Sequence, residues 1–182
     1  PGTGKTYTAT KIIKDTLLRN PYARILVSAK EHLPLNHLCE SIEQEISEFG
    51  HKVVRIRTNV GPNPLPPSKI GMQIVDEIAS LMDDEEEKMS FIESSNEGGR
   101  IATWVEDLAV KTATVVCTTT LDKAMELMLW RGKATFDLSI VEEAGKSYPS
   151  EIIAPLAISM ESILIGDQQQ LPPFELREIG TS

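Results

Sequence analysis

The sequence predicts an α/β fold in which a parallel sheet is covered on both faces by helices. Two observations carry this expectation. Short apolar runs, such as residues 24–29 and 52–57, alternate with longer stretches whose apolar positions recur at helical spacing. The short runs are too continuously apolar for strands with one face in water, so both faces of the sheet should be buried.

The chain opens with Pro1-Gly2-Thr3-Gly4-Lys5-Thr6. Ala9, Ile12, Ile13, Thr16 and Leu17 follow at helical spacing, and Asn20-Pro21 stops that helix. Residues 24–29 make the first strand. Pro34 suits the first turn of a second helix, with Leu35, Leu38, Ile42, Ile46 and Phe49 as its apolar positions and Gly50 at its end. Residues 52–57 make the next strand. The proline-rich stretch 61–67 cannot be regular structure, because proline removes a donor and fixes φ. Ile70, Ile74, Ile78 and Leu81 mark one amphipathic helix; Ile101, Trp104, Val105, Leu108 and Ala109 mark another, after a break at Gly98-Gly99. Residues 68–110 are thus expected to be a helical insertion in the α/β unit. The acidic run Asp83-Asp84-Glu85-Glu86-Glu87 should lie between or at the end of its helices, in solvent. The sheet resumes at 114–118 and leads to a helix over 121–130, where Met125, Met128 and Leu129 read as core filler. Residues 136–141 and 162–165 supply the last strands.

Composition narrows the class. A length of 182 residues is about one domain's worth of chain, and 41% hydrophobic with 25% charged residues is a globular rather than a disordered composition. No apolar run approaches the roughly 20 residues needed to span a bilayer, and the start lacks the pattern of a targeting signal. The formal charge of −9 argues mildly against a nucleic-acid partner. Much of that charge sits in the 83–87 run, however, and a local field can differ from the net. Cys39 and Cys117 lie far apart with no Cys-x-x-Cys around either, which suits a reduced intracellular protein; spacing alone leaves one distant disulfide open. His32, His37 and His51 form no metal-ligand pattern.

The chemistry begins at residues 2–6. Glycines let backbone N–H groups approach a phosphate closely, and the helix that follows adds its positive N-terminus. Lys5 would then reach the β- and γ-phosphates of a nucleotide, and the Thr6 hydroxyl would ligate magnesium. In the full pattern Gly-x-x-x-x-Gly-Lys-Thr, Gly4 is the second glycine and the first would precede Pro1, so the chain is expected to be a fragment cut inside a motif. A second acidic centre should stand at the end of a later strand. Leu138-Ser139-Ile140-Val141-Glu142-Glu143-Ala144 is such a strand, ending in two carboxylates.

Gly166-Asp167-Gln168-Gln169-Gln170-Leu171-Pro172-Pro173 resembles the third motif of superfamily 1 helicases, Gly-Asp-x-x-Gln-Leu-Pro-Pro, at all six of its fixed positions. Within that resemblance the strand ending at Glu142-Glu143-Ala144 corresponds to the family's Asp-Glu-Ala, with Glu142 standing where the family has Asp. Two weaker likenesses accompany it. Residues 25–32 resemble the segment that touches the nucleic-acid backbone, with Lys30, Glu31 and His32 in place of the usual Pro, Ser and Asn. Val115-Val116-Cys117-Thr118-Thr119-Thr120 resembles the Val-Val-Cys-Thr-Thr segment whose threonines bond phosphate oxygens; a strand followed by a helix cap explains those threonines equally well. The likeness spans nearly the whole chain except the insertion, and is nearest to the superfamily 1B group that includes the nonsense-mediated-decay helicase.

The resemblance implies a P-loop NTPase of RecA-like fold, with residues 1–182 as part of a first motor domain truncated at both ends. It implies ATP and magnesium as cofactors and single-stranded DNA or RNA as a partner. It also implies a second RecA-like domain of the same polypeptide, an intracellular location in cytoplasm or nucleus, and no membrane. Gly2, Thr3, Gly4, Lys5, Thr6 and Asp167 would bind the nucleotide, Asp167 also coupling its state to the nucleic-acid site. Thr6 and Glu142 would hold the metal; Glu143 would activate water, with Gln170 at the γ-phosphate. Ser28, Thr118 and Thr119 would face nucleic acid. The alternatives are a P-loop ATPase that remodels protein without unwinding, and a nucleotide-binding switch without turnover. As an isolated fragment the chain is expected to hydrolyse ATP feebly at best.

Overall fold

The computed structural model of the chain describes residues 4–56, 68–96, 100–130 and 136–167. Five strands are named in chain order: β1 (Ile25–Ala29), β2 (Val53–Arg55), β3 (Val115–Thr119), β4 (Phe136–Glu142) and β5 (Ser159–Ile165). They form one sheet in the order β2-β3-β1-β4-β5, and every pairing is parallel. β1 sits at the centre, with Ile25 paired to Val115 on one side and Leu138 on the other. The α/β parallel architecture read from the sequence is the one observed.

Among the described residues there are seven α-helices: α1 (Lys5–Arg19), α2 (His32–Ile46), α3 (Lys69–Ser80), α4 (Glu85–Asn96), α5 (Arg100–Thr112), α6 (Lys123–Trp130) and α7 (Pro149–Ala157); α4 packs on α3 and α5. Side chains alternate along a strand, and the two faces of the sheet accordingly hold two separate cores. Ile25, Val27 and Ala29 of β1, with Leu138 and Ile140 of β4, pack under Ala9, Ile13 and Leu17 of α1 and Leu35, Leu38, Ile42 and Ile46 of α2. Leu26 of β1 and Val116 of β3 point the other way, into Ile70, Ile74 and Val75 of α3, Val105 and Ala109 of α5, and Met125 of α6. Each fully buried Ile or Leu contributes about 1.5–3 kcal/mol, so both layers bind tightly to the strands between them. Met125 is the core filler expected.

The crossovers obey one hand. The chain leaves β1 through α2 towards the β2 edge; it returns through α6 and α7 towards β5, with α6 on the opposite face from α2. A right-handed connection demands that reversal of direction and face together.

Several details differ from the periodicity-based reading. Phe49 is half exposed rather than part of the apolar face of α2, because residues Ser47–Phe49 tighten into a 3-10 turn that ends at Gly50 with φ 76°; its ring carries the Lys14 ammonium instead. Trp104 and Leu81 are likewise exposed. The acidic run opens a helix, α4, that apolar spacing did not reveal: Asp84 accepts from the backbone N–H groups of Glu86 and Glu87, and Glu85–Glu87 fill the first turn. The proline-rich stretch 61–67 and Gly98-Gly99 lie outside the described residues. The two cysteines, 78 positions apart, meet in the core as free thiols, Cys39 on α2 and Cys117 on β3. A hydrogen bond with Cys39, together with burial, pushes the Cys117 thiol up.

Candidate functional site

The C-terminal ends of parallel strands form one rim of the sheet, and the start of α1 is carried to that rim. Gly4 stands immediately before α1 with φ 72° and ψ 13°, a left-handed conformation that favours glycine. Among the described residues nothing lies within 4 Å of the position a Cβ would take there, so the backbone angle calls for glycine. The first N–H groups of any helix lack internal partners, and the first turn of α1 contains no acidic side chain to occupy them. Lys5 and Thr6 project from this turn. The Thr6 hydroxyl donates to Glu142 Oε1 at 3.4 Å, across 136 residues of chain. It reaches Glu142 because residues 138, 140 and 142 of β4 share the face that α1 covers.

Glu142 ends β4 almost wholly buried, 4% exposed. Burial pushes its carboxyl above the usual carboxylate range, and the neighbouring Glu143 charge adds to this. The Thr6 hydroxyl and the Lys5 charge pull the other way. Glu143 turns the chain off the strand in a left-handed conformation, φ 55° and ψ 32°. For a residue with a side chain that conformation costs of order 1–3 kcal/mol and is typical of functional sites. Its Oε1 accepts from Lys146 Nζ at 2.7 Å, one 3-10 turn further on, while its Oε2 is buried with no hydrogen-bond partner among the described residues. The strand after β4 presses on this turn. A Cβ on Gly166 would lie 3.0 Å from Gly145 N, and one on Gly145 would lie 3.1 Å from the Asp167 carbonyl oxygen. Both contacts are with backbone, which cannot swing away as a side chain can, so a larger residue at either position would push the two segments apart.

The structure thus brings together Gly4, Lys5, Thr6, Glu142 and Glu143, with Asp167 beside Gly145. Gly2, Thr3 and Gln170 lie outside the described residues. Ser28 and Thr118 are paired in register at the ends of β1 and β3, fully buried, and neither hydroxyl has a partner among the described residues; Thr119 is buried next to them. The helix cap that could have explained the threonines is supplied by another residue: Asp122 Oδ1 accepts from the Ala124 N–H at 2.9 Å, at the start of α6.

Sequence reasoning missed Lys146 and the residues behind it. Lys30, the first residue after β1, donates to the Lys146 carbonyl at 3.3 Å, pairs with Glu151 at 3.3 Å and lies 4.7 Å from the centre of the Tyr148 ring. Glu151 in turn accepts from the Tyr148 N–H at 2.8 Å at the start of α7. The legible signals were Glu143-x-x-Lys146, and Pro149 followed by Glu151, a helix-start pattern.

These residues fit a nucleotide triphosphate with a hard divalent cation. An acid-free helix N-terminus and Lys5 suit phosphate oxygens, and the buried, unpartnered Glu143 Oε2 is an acceptor awaiting a donor such as water. Among the described residues no three His, Cys, Asp or Glu side chains converge on one point. A hydroxyl and one carboxylate suit magnesium, which keeps several waters and binds through one or two carboxylates plus substrate phosphates.

Comparison with known proteins gives three findings. Residues 73–177 match the family described as AAA domain. DNA polymerase alpha-associated DNA helicase A of Saccharomyces cerevisiae is 24% identical over 200 residues, covering 95% of this chain and 29% of that protein. The crystal structure of the Pyrococcus furiosus Hef helicase domain aligns over 91% of this chain and 25% of that one, at 15% identity and a TM-score of 0.43. The chain therefore spans under a third of the length of the relatives it matches. No helix among the described residues is long and apolar enough to cross a membrane.

Proposed function

The chain belongs to the AAA domain family, and on that premise we propose that it is part of the first motor domain of a helicase or translocase, hydrolysing ATP to move on single-stranded DNA or RNA. The observation that carries this reading is the meeting of Thr6, on the turn that opens α1, with Glu142 at the end of β4. A hydroxyl after a Gly-Lys pair and a carboxylate at a strand end are the two protein groups a magnesium–nucleotide site needs. The resemblance to superfamily 1 helicases at residues 166–173, and a curated relative that is a DNA helicase, support the finer assignment. Because the chain covers 29% of that relative, the second motor domain is part of the proposal, as is the reading of residues 68–110 as an insertion.

In this mechanism the backbone N–H groups of residues 2–5 and the Lys5 ammonium would bind the phosphates, Thr6 and Glu142 would hold the cation, and Asp167 and Gln170 would serve the γ-phosphate. Magnesium, when bound, offsets charge on the phosphate oxygens. Glu143 accepts the proton of the attacking water, its left-handed backbone aiming the carboxylate off the strand. Ser28, Thr118 and Thr119 belong to the nucleic-acid side of the sheet. The test is binding of a fluorescent ATP analogue to the Lys5→Ala protein. Affinity should fall severely, because a cation paired with phosphate is lost; unchanged affinity in a folded variant contradicts the phosphate site.

A further inference from the structure

We infer that Lys146 is a positioning residue for the Glu143 carboxylate, and that Lys30 holds Lys146 in register with the end of β1. The inference rests on the reading of Glu143 as proton acceptor. Glu143 leaves β4 with a left-handed backbone and so has no strand neighbour to fix its side chain. Lys146 supplies that restraint. The 3-10 turn Ala144–Lys146 folds the chain back on Glu143, with the Lys146 N–H donating to the Glu143 carbonyl at 2.9 Å, and the Lys146 ammonium meets Glu143 Oε1 at 2.7 Å. The Glu143 side chain is only 14% exposed, so the pair is less screened than an ordinary surface ion pair. One oxygen is held and the other, Oε2, stays buried with no partner among the described residues. A carboxylate pinned by one oxygen offers the second in a fixed direction, as a proton acceptor must. Lys146 also stays protonated over a wider range than a free lysine, chiefly through this hydrogen bond.

Lys30 fixes the backbone of the same residue. Its ammonium donates to the Lys146 carbonyl, is itself held by the buried Glu151 and lies against the Tyr148 ring. It directly follows Ala29, the last residue of β1. A continuous series of contacts therefore joins the end of β1 to Glu143. Loss of Lys30 should loosen the turn that carries Lys146 without touching the phosphate site.

The experiment measures kcat and ATP-analogue affinity in the complete protein, with single strands present, for Lys146→Met, Lys146→Arg, Lys30→Met and Glu143→Gln. Lys146→Met should lower kcat by about ten- to a hundredfold, the scale of a misplaced catalytic group, with affinity within about twofold of the parent. Lys146→Arg should recover most of the loss, since the guanidinium can also donate to Oε1. Lys30→Met should lower kcat in the same sense, and the double variant with Lys146→Met should be no worse than Lys146→Met alone. If Lys146→Met keeps full kcat while Glu143→Gln loses it, the positioning role is wrong and the acceptor role stands. A Lys146→Met loss that is matched in affinity, or is not recovered by Lys146→Arg, also overturns the positioning role. If Glu143→Gln keeps full kcat, the acceptor reading falls and takes the inference with it.

Discussion

Glu142 sits where its ionisation is a cost to the fold, a cost that its proposed role at the cation would explain. Burial and the Glu143 charge both oppose its ionisation, and Thr6 and Lys5 offset them only in part. Its folded pKa therefore lies above the unfolded value, so the folded state binds the proton more tightly. The stability it contributes is fully present at acid pH. That stability is lost as pH rises from about 4.3, the ordinary glutamate value, through the raised folded value. In metal-free protein, Glu142→Gln should raise the melting temperature at pH 7, by about 2–4 °C per kcal/mol relieved, because the amide keeps an acceptor for Thr6 and sheds the charge. The same variant should lose magnesium-dependent hydrolysis. A melting temperature that falls at pH 7 contradicts the electrostatic account. Thr118 gives a second test at this scale. Its hydroxyl is buried with no partner among the described residues, so the isosteric Thr118→Val should leave thermal stability unchanged or higher. If Thr118 serves nucleic acid, strand binding measured by fluorescence anisotropy should weaken. Reduced stability with unaltered binding would remove Thr118 from the proposed interface.

At the scale of elements, the cap on α6 makes a separable prediction. Asp122 holds the Ala124 N–H, so Asp122→Ala should cost about 1 kcal/mol, read by thermal denaturation. No loss would mean that Asp122 does not cap the helix. What was legible in the sequence divides along physical lines. Strands β1 and β3 and helices α1, α2, α3 and α5 announce themselves because each buries a regular apolar pattern against the sheet. Helix α4 does not, since among its residues only Ser95 is buried. Its start is marked instead by the Asp84 cap and by acids that favour a helix N-terminus. Helix α7 is disguised by Pro149 and Pro155, the first tolerated at the helix start and the second normally a breaker. In the site, the Gly4-Lys5-Thr6 run and the Glu142-Glu143 pair are legible because each lies within one short segment. The Lys30–Lys146–Glu143 series was not, because it joins segments 116 residues apart that only the parallel pairing of β1 with β4 makes neighbours.

Across the whole molecule, handedness constrains how a strand could feed α1. Since α1 and α2 share a face, a right-handed crossover into β1 must approach from the β4–β5 side. β5 is the outermost strand there among the described residues, and Met160 and Leu164 on it are exposed. A version of the chain extended before Pro1 should therefore slow amide hydrogen exchange along β5 and raise ATP affinity. Unchanged β5 protection would contradict this topology.

We propose that the Thr6–Glu142–Glu143 cluster is the hydrolytic centre of an ATP-driven motor stimulated by nucleic acid. Steady-state ATP hydrolysis by the complete protein, titrated with single-stranded DNA and RNA, tests it most directly, with Glu143→Gln measured alongside. Hydrolysis should be stimulated by at least one of the two strands. Glu143→Gln should still bind ATP but lose turnover by about 10²–10⁴-fold, the usual contribution of general base catalysis. Hydrolysis indifferent to both strands, or undiminished in Glu143→Gln, would contradict this proposal.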